Sequence, residues 1–136
     1  METSKGIKFG GFVYQKIDKY RGYDHQIKCN TGIRDLKSFT FTFRDNKPLK
    51  FNLKSSYNES KPNAQFFLST DVDWRLFMFG NCDIWIPKNG LKGSCTSMNE
   101  SSYDHQGIEN ALVGQSGWDV EKGCFDLKRI VVLQFK

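Results

Sequence analysis

A chain of 136 residues and 15.7 kDa has room for one domain of ordinary size. Its 38% hydrophobic and 26% charged residues exclude a disordered tail and, with no apolar run near the length of a bilayer span, argue against membrane insertion. Net charge is +5, and the excess sits in the first third: residues 1–50 carry 11 Lys and Arg against 5 Asp and Glu, residues 51–100 balance at 5 and 5, and residues 101–136 hold 4 against 5.

Ahead of the first strand, Met1 to Lys5 is polar, with no signal-peptide core behind it, so a cytoplasmic or nuclear protein is expected. Ile7 to Tyr14 then reads as a strand. Ser38-Phe39-Thr40-Phe41-Thr42-Phe43 places three phenylalanines on one face and three hydroxyls on the other, the pattern of a half-buried strand with its phenylalanines in the core. Turn formers fill Arg44 to Pro48, and Leu49, Phe51 and Leu53 alternate with Lys50, Asn52 and Lys54, completing a β-hairpin with Pro48 at the start of its second strand. Gln65 to Ser69 is a further strand. Arg75 to Phe79, apolar on both faces, is expected to be central. After a Gly80-Asn81 turn, alternation resumes over Cys82 to Ile86 and ends at Pro87 to Gly90. Only Ile108 to Val113 suggests a short turn of helix. Phe125 to Phe135 reads as a last strand, inside a sheet because Ile130 to Leu133 is apolar on both sides. Residues 54–64 and 87–107 read as loops. The sum is a mainly β protein: a two-sheet antiparallel β-sandwich with long loops and at most short helices.

The cysteines, Cys29, Cys82, Cys95 and Cys124, form no C-x-x-C pair and suit reduced, buried thiols. One tetrapeptide occurs twice, Tyr23-Asp24-His25-Gln26 and Tyr103-Asp104-His105-Gln106. Two such loops could offer imidazoles and carboxylates to a metal, but neighbours on an extended chain point opposite ways, so no metal site is expected. Cys95 with His105 and Asp104 would be the obvious nucleophilic assembly, yet no nucleophile elbow or cysteine signature accompanies it. Glycines at 10, 11, 90 and 93 lack phosphate-loop spacing. No catalytic residue and no cofactor is therefore assigned. Lys8, Phe9, Phe12, Tyr14, Lys16, Lys19, Tyr20, Arg21 and Tyr23 interleave aromatic and basic groups. They support an alternative reading as a nucleic-acid binder, with Lys16, Lys19 and Arg21 on the phosphates. Redox sensing through Cys95 or Cys82 is a third idea.

From about Lys8 to Phe135 the ordered motifs resemble a family, the TLDc domain of the oxidation-resistance proteins, especially its short divergent members in protists. Phe9-Gly10-Gly11-Phe12 is similar to that family's phenylalanine and paired-glycine signature, and Ser38 to Phe41 to its F-L-F strand. Phe79-Gly80 followed by Asp83-Ile84-Trp85-Ile86 is similar to its glycine turn and D-I-Y/W-I strand. Ser94 falls in its small-residue loop, Tyr103 on the following aromatic, and Phe125 to Lys128 on its closing strand. Two departures stand out. Only eight residues precede the signature, where the family has a helical segment and a strand, so the single domain 1–136 reads as N-terminally truncated. Its exposed edges would then favour a homodimer. Val131 also stands where the family usually carries an acidic residue, so no role of that carboxylate is carried over. The resemblance implies a non-enzymatic interaction module in oxidative-stress protection, with a protein partner that in several members is the vacuolar proton-pumping ATPase. The residues it singles out are Phe9, Gly10, Gly11, Gly80, Asp83, Ser94 and Tyr103.

Overall fold

The computed structural model describes residues 1–15, 31–33, 35–44, 47–56, 66–68, 75–88, 94–96, 102–113 and 124–135; among them the regular structure is strand, without helix. No helix among these residues is long and apolar enough to cross a membrane. Lys16, Lys19, Arg21, the 23–26 tetrapeptide and Cys29 lie outside the described residues.

Two antiparallel sheets pack against each other. The strands in chain order are β1 (Glu2–Thr3), β2 (Lys8–Phe12), β3 (Thr31–Ile33), β4 (Phe39–Arg44), β5 (Lys47–Asn52), β6 (Phe66–Leu68), β7 (Arg75–Phe79), β8 (Ile84–Pro87), β9 (Ser94–Thr96), β10 (Cys124–Phe125) and β11 (Leu127–Arg129). One sheet has the order β11-β1-β2-β4-β5 and the other β10-β9-β8-β7-β6-β3. The fold class expected from period two is thus the one observed, and β7 sits between two partners as its two apolar faces require. The hairpin is also in place: Arg44 pairs with Lys47, and Pro48 lies on the edge strand β5, where a missing N–H costs the ladder least. Three short strands, β1, β3 and β9, carry too few residues for a visible alternation, and β9 interrupts a stretch expected to be loop.

Three expectations are corrected. The first concerns β4. Thr40 and Thr42 are buried at 0% and 1% exposure and Ser38 at 2%, whereas Phe43 is 46% exposed and Phe39 and Phe41 are half-buried, so the hydroxyls face the core and the phenylalanines face out. The reason is what occupies the space inside. The segment 102–113 is packed beneath this sheet, with Tyr103, Leu112 and Val113 all buried, and it shares hydrogen bonds with the hydroxyls of Ser38 and Thr42. Thr42 Oγ1 donates to the Leu112 carbonyl at 2.7 Å, and Ser38 Oγ lies 3.0 Å from the Tyr103 hydroxyl.

The second correction is the last strand. The chain changes sheets at Asp126: β10 borders the six-stranded sheet, β11 borders the five-stranded one, and beyond Arg129 no pairing continues. The partner β1 is only two residues long, so its hydrogen-bonding groups are used up by Leu127 and Arg129. Val131, Val132, Leu133 and Phe135 consequently remain 56% to 83% exposed. Third, residues 109–113 form consecutive turns, with Asn110 at φ 52°, and no helix.

The core lies between the sheets. Phe9 from β2 meets Phe125 edge-on, with ring centroids 5.4 Å apart, and Phe51, Phe66, Phe79, Ile84 and Ile86 fill the rest. Paired glycines thin β2 on both sides at once. A Cβ on Gly11 would stand 2.4 Å from the Phe79 ring of the facing sheet, and one on Gly10 would stand 2.7 Å from Phe41 on the outer surface. Each glycine therefore makes room for one aromatic ring, on opposite faces, as successive strand positions must.

Candidate functional site

Four of the residues singled out from the sequence line the interior. Phe9 is core, and Ser94 is fully buried opposite Phe125 in the β9–β10 ladder. Asp83 and Tyr103, with Gly80, meet at one buried node. The turn after β7 needs the left-handed region twice, at Gly80 (φ 58°) and Cys82 (φ 69°). It aims the buried Asp83 carboxylate at the segment that follows residue 101. Both its oxygens accept from Ser102 N (3.1 and 2.9 Å), and Oδ1 also accepts from Tyr103 N at 3.2 Å. Asn81 N donates to Ser102 Oγ at 2.8 Å, and the Gly80 position has no space for a side chain, since a Cβ would lie 2.3 Å from Asp83 Oδ2. On its other side the segment continues the ladder of β5: Lys54 N donates to Ser102 O at 3.0 Å and Asp104 N to Asn52 O at 2.9 Å.

His105 is buried beside this node. Its Nε2 stands 3.9 Å from Asp83 Oδ1, beyond hydrogen-bond range, and its ring meets Phe51 at 5.0 Å between centroids. The neighbouring Asp104 is exposed and accepts from Gln106 N at 2.8 Å. The second tetrapeptide thus sends its carboxylate outward and its imidazole inward, so Asp104 and His105 do not converge on a Cys95-centred assembly. Among the described residues, no group of three or more His, Cys, Asp or Glu is placed to hold a metal ion. The node's geometry is that of a clamp tying the 80–83 turn to the segment beneath the facing sheet.

Tyr103 completes the clamp. Burial raises its phenol pKa above the ordinary value of 10.0, opposed by the hydrogen bond to Ser38 and reinforced by the Asp83 and Asp35 charges. The unfolded chain therefore ionises first, so this group's contribution is constant below about pH 10 and stability falls above it, by up to about 1.4 kcal/mol per pH unit. We predict that Tyr103→Phe costs about 1 kcal/mol at neutral pH through the lost Ser38 partner. It also flattens the alkaline limb, as measured by urea melts between pH 7 and 11.5.

Asp35 was not anticipated. This buried carboxylate accepts from the backbone N–H groups of Tyr14, Gln15 and Lys37, tying the end of β2 to the approach to β4. An aspartate two residues ahead of a turn residue is an Asx-turn signal, which could have marked the local half of this arrangement.

The largest feature missed by sequence reading is the outer face of the five-stranded sheet. Direct cross-strand pairing places Lys8 beside Phe43, Gly10 beside Phe41 and Phe12 beside Phe39, with Pro48, Lys50 and Asn52 opposite the same phenylalanines on the other side. Phe12 stacks on Phe39 at 5.2 Å and meets Tyr14 edge-on at 4.8 Å; Phe39, Phe41 and Phe43 continue the row at 6.3 and 5.9 Å. Phe135 leans on Phe12 at 5.9 Å, so the tail after β11 extends the aromatic strip. Lys50 Nζ stands 4.3 Å over the Phe39 ring. At the opposite end, Lys8, Phe41, Phe43, Arg129 and Val131 help line a groove of about 190 Å³. Glu2 there is bound at 2.7 Å by Arg129 and at 3.6 Å by Lys128. Partial burial raises its carboxyl pKa, but these two cations outweigh that and hold it below the usual range. The face is an aromatic strip with cations at its margins.

No family model, curated protein or solved structure matches this chain.

Proposed function

We propose that the chain is an interaction module without catalytic chemistry of its own, docking a protein partner on the outer face of the five-stranded sheet. One observation carries this reading. Five aromatic side chains, Phe12, Tyr14, Phe39, Phe41 and Phe43, lie together on the side of a sheet turned away from the core, with Phe43 and Tyr14 largely exposed. Contiguous exposed apolar patches of this kind mark interaction sites in soluble proteins. An aromatic centre with a charged rim is also the anatomy of a specific protein interface. The rim is basic: it carries Lys8, Lys50, Lys128 and Arg129, and Glu2 on β1 engages the last two. The matching partner surface has an apolar centre ringed by carboxylates. The TLDc resemblance supplies a named candidate, the vacuolar proton-pumping ATPase, and the context of oxidative-stress protection.

The same rings also suit a second occupant, single-stranded nucleic acid stacking on the phenylalanines, which the Lys50–Phe39 contact favours. The test titrates purified cytosolic sector of the vacuolar ATPase, and separately a short oligothymidylate, against the intact chain and against Phe41→Ser, Phe43→Ser and Lys50→Glu. The expected result is binding to the ATPase sector, weakened tenfold or more by Phe43→Ser, the scale of an aromatic hot spot. Binding only to the oligonucleotide, with steep loss in salt, would replace the protein reading with the nucleic-acid one. Binding to neither, or dimerisation through the same face seen by light scattering, would overturn it.

A further inference from the structure

One register in the six-stranded sheet joins chemistry that the sequence keeps far apart. Cys95 in β9 stands directly opposite Cys124 in β10. The same row continues from Cys95 to Trp85 in β8 and from Trp85 to Met78 in β7, so four strands carry Cys, Cys, Trp and Met side by side. Directly opposed residues of an antiparallel pair share a face of the sheet, with Cα atoms about 4.5 or 5.5 Å apart depending on the pair type. A disulfide spans Cα separations of roughly 4.4–6.8 Å, so both pair types fall within its reach. Among the other cysteines, Cys82 lies in the turn after β7, and its Sγ stands 3.4 Å from the Met78 thioether.

We propose that Cys95 and Cys124 are a redox pair that a peroxide closes into a cross-strand disulfide. The thiolate of one attacks the peroxide O–O bond, becomes a sulfenic acid and releases hydroxide, which takes up the proton left by that thiol as water. The second thiol attacks the sulfenic sulfur, the S–S bond forms, and the sulfenic oxygen leaves as water. Two thiols and one hydrogen peroxide thus give one disulfide and two waters, with two electrons passing to the peroxide. A dithiol reductant such as thioredoxin reverses the step. The ring closed by this bond contains the whole segment 102–113, which the Asp83 clamp and Thr42 hold between the sheets. Oxidation therefore closes that ring covalently at the edge strand β10, which pairs with β9 over two residues.

The test treats the folded full chain with hydrogen peroxide at low molar excess, alkylates remaining thiols, digests with trypsin without reduction and analyses the peptides by mass. Cleavage after Lys92, Lys122 and Lys128 puts the two cysteines on separate peptides, 93–122 and 123–128. The expected product is these two joined, two hydrogens lighter than their sum, while the Cys82 peptide stays alkylated. Dithiothreitol should restore both thiols, Cys82→Ser should leave the linkage unchanged, and peroxide in 6 M guanidinium should abolish its selectivity. Recovery of Cys95 and Cys124 both alkylated, over-oxidised without linkage, or joined to other cysteines as often as to each other would overturn the proposal. In the Cys124→Ser variant, Cys95 should be trapped by a sulfenic-acid probe. A disulfide from Cys95 to Cys82 forming as fast as the native link would also overturn it.

Discussion

Asp83→Ala is expected to lower stability by about 3–5 kcal/mol, the largest single-site loss in the molecule outside the apolar core. Alanine leaves Ser102 N and Tyr103 N buried without the acceptor they have now, and an unsatisfied buried donor costs about 1–3 kcal/mol. It also removes the group that fixes the Gly80–Asp83 turn against Ser102. Since a domain of this size has only about 5–15 kcal/mol in total, a fall in melting temperature of roughly 10–20 °C should follow, measurable by circular dichroism. Asp83→Asn, which keeps one acceptor oxygen, should lose about half as much. Equal loss in the two variants would mean that charge, and not hydrogen-bond acceptance, is what the clamp uses.

Gly11→Ala is the second large effect, and its neighbour supplies the control. A methyl at position 11 would meet three atoms of the Phe79 ring at 2.4, 2.5 and 2.6 Å. Phe79 cannot yield easily, because Phe66 packs on it at 4.8 Å and Phe77 at 6.3 Å inside the core. Overpacking of this kind costs about 1–3 kcal/mol, and here the upper end is expected. A methyl at position 10 would meet Phe41 at 2.7 Å, but it touches the far end of a half-buried ring on the outer surface, which can swing aside. Gly10→Ala should therefore cost under about 1 kcal/mol. Chemical denaturation of the two variants checks the contrast, and Phe79→Leu should recover part of the Gly11→Ala loss, as coupled neighbours do.

Period two made the strands legible where they were long. It located β4, β5 and β7, the central place of β7 and the place of Pro48 near the start of β5. It pointed to the wrong face of β4: with three phenylalanines on one side and three hydroxyls on the other, apolar character alone puts the rings in the core, whereas the structure buries the hydroxyls. The information lay in the hairpin register. With Arg44 opposite Lys47, the residues facing Phe41 and Phe43 are Lys50 and Pro48, while Thr42 shares its face with Leu49 and Thr40 with Phe51. A register slip of one residue would have exchanged those partners, so the burial of β4 was a property of the pair and not of the strand. The last strand failed for a related reason: Ile130 to Leu133 has the composition of a central strand, but β1 supplies only two residues to pair with. The clamp is partly visible in the sequence, where Gly80, Asp83 and Tyr103 fall on the motifs of the family it resembles. Their convergence depends on contacts between residues about twenty apart, which no local pattern encodes.

The orientation of β4 decides whether an aromatic docking face exists at all, and thiol labelling measures it directly. In Thr42→Cys and Phe43→Cys variants of the folded chain, each introduced thiol is followed by mass as an alkylating reagent is added. The structure predicts that position 43 reacts near the rate of an unfolded control and that position 42 is protected by several orders of magnitude. Fast labelling at 42 with protection at 43 would place the phenylalanines in the core and remove the proposed face.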